Sequence, residues 1–223
     1  VAFVRLAVIM GLVAAVAREP AAAAAQEGCI TCHSDPALAQ SNRKLTLIFQ
    51  LWVTSPHGTH GVKCTQCHGG DPAAGEKEPA HASMDLPRAK MTFASLLKRC
   101  GSCHEAQRAA YTASEHYRAL EVKGQRARLP TCITCHSEMR LALLSAKRVR
   151  ATCAECHNAK SKNSPEVPEQ AERLLAGFEA IKARERAEHK GAEGHVPDLI
   201  REWHTFDLEL LGGDIARFAQ VSD

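Results

Sequence analysis

Aromatic residues are scarce in this 223-residue chain: two Trp, two Tyr and six Phe, 4% of the total. That is little with which to fill a core. Past residue 26 no run is long and apolar enough to cross a bilayer, which takes about 20 residues. Neither sign of charge dominates, with 28 Lys and Arg against 25 Asp and Glu. Methionine is rare, at four. Residues 165–223 have no cysteine at all. What the chain has in excess is ten cysteines and twelve histidines.

The N-terminus reads VAFVRLAVIMGLVAAVAREPAAAAAQEG. Arg5 is a short basic start, Leu6–Ala17 an apolar run, and the alanine tract ending at Ala25 a small-residue cleavage region. This pattern predicts an export signal over 1–25, with a mature chain that is periplasmic and not membrane-spanning once the signal is cleaved. Export commonly goes with disulfides, but the cysteine pattern points elsewhere.

All ten cysteines fall in five pairs, and each pair is followed by histidine: Cys29, Cys32, His33; Cys64, Cys67, His68; Cys100, Cys103, His104; Cys132, Cys135, His136; Cys153, Cys156, His157. With this histidine content, five such coincidences would occur by chance about once in two million. C-x-x-C-H is the attachment signature of c-type haem. Two thiols one helical turn apart reach the two vinyl groups on one porphyrin edge, and the adjacent imidazole meets the iron. Structural zinc would draw four ligands from two cysteine pairs and leave the five histidines without a role. Five redox-active C-x-x-C disulfides would leave them equally unexplained. The motifs start 35, 36, 32 and 21 residues apart, so little chain surrounds each cofactor. The expected fold is therefore mainly α with extensive loops, its core formed by five packed haems.

Cofactors also change the charge. The formal +3 falls to about +2 when Arg5, Arg18 and Glu19 leave with the signal. Two propionates per haem bring the loaded protein to about −3 oxidised and about −8 reduced, so its basic composition gives no reason to expect nucleic-acid binding.

Low-spin irons need a sixth ligand, and seven histidines remain for five irons: His57, His60, His81, His116, His189, His195 and His204. His57 stands in a turn between Pro56 and Gly58, where glycine allows close backbone approach to a macrocycle. His116 lies in the helix-forming stretch EAQRAAYTASEHYRAL. His81 follows a polar loop, and His60, His189 and His195 read as solvent-facing.

The segments SPHG…VKCTQCHGGDP with AH shortly after, then CGSCH…YTASEHYRAL…CITCH…CAECH, span most of residues 27–160. They resemble the periplasmic multihaem cytochromes related to the tetrahaem carrier of ammonia oxidisers and to hydroxylamine oxidoreductase. The resemblance implies that Ser-x-His elements supply distal ligands, which here are Ser55–His57 and Ser114–His116, and it favours His81. Where many relatives have a histidine three residues after a late proximal one, this chain has Met139. Met139 is a thioether ligand, a core filler or a surface residue; Met84 and Met91 are weaker candidates.

The cysteine-free segment 165–223 reads as a helical hairpin closing over the last haems. Ala171, Leu174, Leu175, Phe178 and Ile181 recur at helical spacing, residues 189–197 form a break, and Leu199, Ile200, Trp203, Phe206 and Leu210 mark a second helix ended by Gly212-Gly213. His204 on that second helix is a candidate ligand. The expected divisions are a signal at 1–25, a pentahaem domain at 26–164 and the hairpin at 165–223.

These features predict a periplasmic electron carrier. Its partners would be other redox proteins, namely a quinol-oxidising membrane cytochrome on one side and a periplasmic reductase or outer-membrane conduit on the other. Two alternatives stand beside it. One is an electron-transfer subunit of a larger oxidoreductase. The other is a reductase of small nitrogen compounds with one five-coordinate haem, for instance at His136 or His157. The C-x-x-C-K motif that marks the catalytic haem of pentahaem nitrite reductase does not occur.

Overall fold

Short polar residues start many of the helices. Asp35, Ser55, Thr92 and Ser145 each accept a hydrogen bond from a backbone N–H in the first turn that follows. Pro36 and Pro56 occupy first-turn positions where a missing N–H costs nothing. The computed structural model describes residues 28–84, 92–123, 130–137, 144–161 and 164–220. The expected signal segment, Met91 and Met139 lie outside them.

The first helical turn, α1, covers 28–33. It is followed by α2 (Pro36–Ser41), α3 (Arg43–Val53), α4 (Pro56–Thr59), α5 (Cys64–His68), α6 (Lys77–Ala82) and α7 (Phe93–Gly101). Then come α8 (Glu105–Ala113), α9 (Glu115–Lys123), α10 (Cys132–His136) and α11 (Ala146–Ala154). Three helices close the chain: α12 (Val167–Ala187), α13 (Val196–Trp203) and α14 (Leu208–Gln220). Among the described residues the one isolated β contact is a bridge between Gly69 and Met84. The chain is mainly α, as its sequence predicts.

Burial is uneven along the chain. From residue 28 to 84, Ser55 is the one buried residue described, and helices α2 to α6 bury no apolar side chain. Helix α3, RKLTLIFQLWV, is largely apolar, yet Leu47 and Val53 are exposed and the rest of its apolar side chains are half-buried. The side-chain core lies further on. Ile181, Leu199, Leu211, Ile215 and Phe218 form one cluster, with Leu174, Phe178 and Trp203 against it. Leu144, Val149, Ala171 and Leu175 form a second, which touches Cys135 and Cys153. Arg150 ties α11 to α12 through Glu169 (2.7 Å) and Glu172 (3.0 Å), a half-exposed network of modest strength.

The C-terminal segment holds three helices rather than a two-helix hairpin. The expected break at Gly212-Gly213 does not occur; both glycines lie inside α14. Their small size serves packing. A Cβ on Gly212 would come within 3.3 Å of Leu174, and one on Gly177 within 2.8 Å of Ile215, so α12 and α14 approach closely through glycine. The chain turns instead at 204–207, between α13 and α14. Helix α13 begins on the buried carboxylate of Glu185, which accepts hydrogen bonds from the backbone N–H of His195 (2.6 Å) and Val196 (3.1 Å).

Candidate haem-ligand pairs

Each C-x-x-C-H motif sits on a helical turn, which places the two sulfurs and the imidazole on one side. Motif one is α1, and motifs two and four are α5 and α10. Motif three leaves the end of α7, where His104 N donates to Cys100 O at 2.9 Å. Motif five leaves α11 in the same way, with His157 N donating to Cys153 O at 2.8 Å. None of the ten cysteines is in a disulfide. Among the described residues no three His, Cys, Asp or Glu side chains converge as a metal-ion cluster.

Consecutive motifs are neighbours in space. The Cys29 thiol meets Cys64, Cys67 lies within electrostatic reach of Cys100 and Cys103, Cys100 meets Cys132, and Cys135 lies near Cys153. The Cys100–Cys132 hydrogen bond pushes Cys100 up and pulls Cys132 down to about 7. Burial, with Cys153 beside it, raises Cys135 to about 11. The five attachment turns therefore follow one another in chain order.

Four of the five C-x-x-C-H histidines face a second imidazole. Ring centres are 6.2 Å apart for His33 and His81, 5.8 Å for His57 and His104, 5.9 Å for His116 and His157, and 6.1 Å for His136 and His204. An iron held between two imidazoles stands about 2 Å from each nitrogen, itself about 1.1 Å from its ring centre, which puts the centres about 6 Å apart. The residues present thus fit a hexacoordinate haem at four places. Burial is the first cause holding His33, His57, His116 and His204 below the ordinary histidine range, with a facing imidazole adding to it. Neutral imidazole is the ligating form.

Two devices orient the distal rings. His81 Nδ1 donates to Lys77 O and His204 Nδ1 to Ile200 O, both at 2.6 Å, which leaves Nε2 with its lone pair. His57 and His116 use the other. In each, a buried serine caps a helix two residues earlier. Ser55 Oγ donates to Trp52 O (2.7 Å) and accepts from Gly58 N (3.1 Å); Ser114 Oγ donates to Tyr111 O (2.6 Å) and accepts from Tyr117 N (3.3 Å). The repeated Ser-x-His is therefore a cap that places histidine in the first turn. A Cβ on Gly58 would clash with the Trp52 carbonyl, so this glycine permits close approach to its own preceding helix.

His68 is different. Among the described residues no ring faces it; its Nδ1, like those of His57 and His116, is buried without a hydrogen-bond partner. The expected five-coordinate positions, His136 and His157, are the ones that His204 and His116 face; the question moves to His68. His60 is exposed, its Nδ1 donating to Pro56 O at 2.7 Å. His189 adopts φ 57° at the end of α12, and His195 stacks on Phe218 at 3.8 Å. Met84 meets the stretch after His68 through the Gly69 bridge, with its side chain near Gly70.

The sequence missed Phe206. Its ring meets His116 edge-on at 4.6 Å and Tyr111 at 6.1 Å, from a backbone at φ 58°. Its apolar spacing was legible; its place against His116, from another part of the chain, was not.

The chain is similar to polyhaem c-type cytochromes. It is 30% identical over 116 residues to the C-type polyheme cytochrome OmcC of Geobacter sulfurreducens, covering 49% of this chain and 14% of that protein. It is 29% identical over 129 residues to OmcB of the same species, covering 58% of this chain and 13% of that one. The chain thus spans about one seventh of the length of these relatives. No protein-family model and no solved structure matches it. Among the described residues no helix is long and apolar enough to cross a membrane.

Proposed function

We propose that this protein is a periplasmic pentahaem c-type cytochrome that carries electrons along closely packed haems. The observation that carries the reading is the set of four facing imidazole pairs, each joining a C-x-x-C-H histidine to one outside the motifs at about 6 Å. Cys29/Cys32, Cys64/Cys67, Cys100/Cys103, Cys132/Cys135 and Cys153/Cys156 are the thioether anchors. His33, His68, His104, His136 and His157 are the proximal ligands. His81, His57, His204 and His116 complete the irons of His33, His104, His136 and His157 in that order.

A bound haem supplies one-electron chemistry by cycling between ferric and ferrous iron. The chain contributes ligation, burial and spacing. Bis-histidine ligation favours low potentials. The apolar, half-buried face of α3 and the scarcity of buried side chains over 28–84 suit a region whose core is porphyrin. Residues 1–25 are the export signal, 26–164 the haem-bearing part, and 165–223 the arm that delivers His204. Partners are other redox proteins: a quinol-oxidising membrane cytochrome as donor, and a periplasmic reductase or outer-membrane conduit as acceptor, met through small transient contacts.

His68 favours a second reading, in which the protein reduces nitrite, hydroxylamine or a similar small molecule. Without a facing imidazole, the His68 iron is where such a ligand would bind. Electron paramagnetic resonance (EPR) of the oxidised protein separates the two. The carrier reading expects the four paired irons to be low-spin; a strong high-spin axial signal that responds to added nitrite or hydroxylamine favours the reductase reading, and low-spin signals alone sink it. The haem count has its own test. The mature protein should weigh five haems more than its polypeptide, and fewer additions sink the pentahaem reading.

A further inference from the structure

The four residues between α13 and α14, 204–207, touch two facing pairs at once. His204 faces His136, with the planes within 14° of parallel. Two residues on, Phe206 meets the His116 ring edge-on at 4.6 Å and 70°, and His116 faces His157 with the planes 84° apart. The turn is closely tied. Phe206 N donates to Trp203 O (3.3 Å), Asp207 N to Thr205 Oγ1 (3.2 Å), Thr205 Oγ1 to Glu202 O (2.7 Å), and Leu210 N to Asp207 Oδ1 (3.0 Å). Phe206 holds a left-handed backbone, which bulky residues rarely adopt, so the surroundings impose it.

His81 and His204 are oriented by backbone carbonyls, whereas His116 Nδ1, like that of His57, is buried with no hydrogen-bond partner. Its ring angle depends on packing, and an edge-to-face aromatic contact is the kind of packing that selects an angle.

We propose that Phe206 is a positioning residue that holds the His116 ring across the plane of His157, so that the 204–206 turn sets the axial geometry of two haems together, parallel at His136/His204 and crossed at His116/His157. The inference rests on the pentahaem reading. The consequence is electronic. Parallel imidazoles donate π density into the same iron d orbital and split the pair, which gives a rhombic low-spin signal. Crossed imidazoles donate into both and leave them nearly degenerate, which gives a highly anisotropic signal with one dominant low-field feature. His57/His104, at 85°, forms a second crossed pair built without Phe206.

The test is EPR of the oxidised holoprotein and two variants, each first weighed for five haems. Phe206→Leu keeps apolar volume without a flat ring. Phe206→Gly suits the left-handed backbone and removes the ring altogether. The wild type should show two highly anisotropic signals, one of which is lost in His116→Ala. In both Phe206 variants that same signal should move towards the rhombic type while the other stays. Phe206→Tyr, which keeps the ring edge, should retain the wild-type spectrum. Five haems with both anisotropic signals unchanged overturns the proposal. So does loss of the fifth haem from both variants, which would make Phe206 a folding residue. A wild type with fewer than five haems overturns the pentahaem reading instead.

Discussion

His136 and His204 face each other with ring centres 6.1 Å apart and planes within 14° of parallel, although 68 residues separate them in sequence. The arm that carries His204 has no C-x-x-C-H motif of its own. Its buried helices place one imidazole over another motif's histidine. Replacing His204 by Met should leave all five haems attached, because Cys132 and Cys135 hold the fourth covalently. It should raise the potential of one of the five, since methionine ligation favours the ferrous state. A spectroelectrochemical titration reads this directly; five unchanged potentials would remove His204 from the ligand set.

The two serine caps should matter twice. Ser55→Ala or Ser114→Ala loses a cap worth about 1 kcal/mol. Denaturant unfolding should report that loss. Each change should also turn a fraction of one haem high-spin, since the cap positions the histidine two residues later. A stability loss without any spectral change would restrict the serines to folding.

His60→Ala should leave the low-spin spectrum and the haem count unchanged, because the ring is exposed and faces no proximal histidine. His57→Ala, three residues away, should convert one haem to high spin. The pair is a matched test of geometry against proximity in sequence. High-spin iron in the His60 variant would reverse their roles.

Leu211, 1% exposed in the cluster with Ile181, Leu199, Ile215 and Phe218, anchors the C-terminal arm. Leu211→Ala should cost about 2–5 kcal/mol. The loss should fall first on the arm, so hydrogen exchange should rise over α12–α14 and the His204 haem should weaken before the others. Uniform loosening along the chain would argue against an independently anchored arm.

The C-x-x-C-H motifs and the mainly α character were legible because each is carried by a few adjacent residues. The four histidines expected as distal ligands, His57, His81, His116 and His204, are the four that face proximal ones. Which faces which was not legible, because facing rings lie 41 to 68 residues apart and spacing along a chain carries no such distance. The Ser-x-His pattern was recognisable as a resemblance, but its cause, a cap with a doubly bonded hydroxyl, needed coordinates. Gly212-Gly213 misled for a physical reason. A glycine pair loosens an isolated helix, yet it suits a helix that must lie close to another. The true turn at 204–207 contains no glycine and owes its shape to hydrogen bonds around Thr205 and Asp207.

On the pentahaem reading, the four facing pairs would become cross-links through iron coordination. They close loops at 33–81, 57–104, 116–157 and 136–204. Each removes about 4 kcal/mol of unfolded-state entropy by the same reckoning as a disulfide closing a loop of that length. The first two loops overlap, and so do the last two, but none spans residues 105–115. Helix α8 is thus the one stretch between the first and last ligands that no loop encloses, a seam between a three-motif half and a two-motif half. Protease nicking there, rather than at any other covered backbone, should release two stapled pieces that each keep their colour.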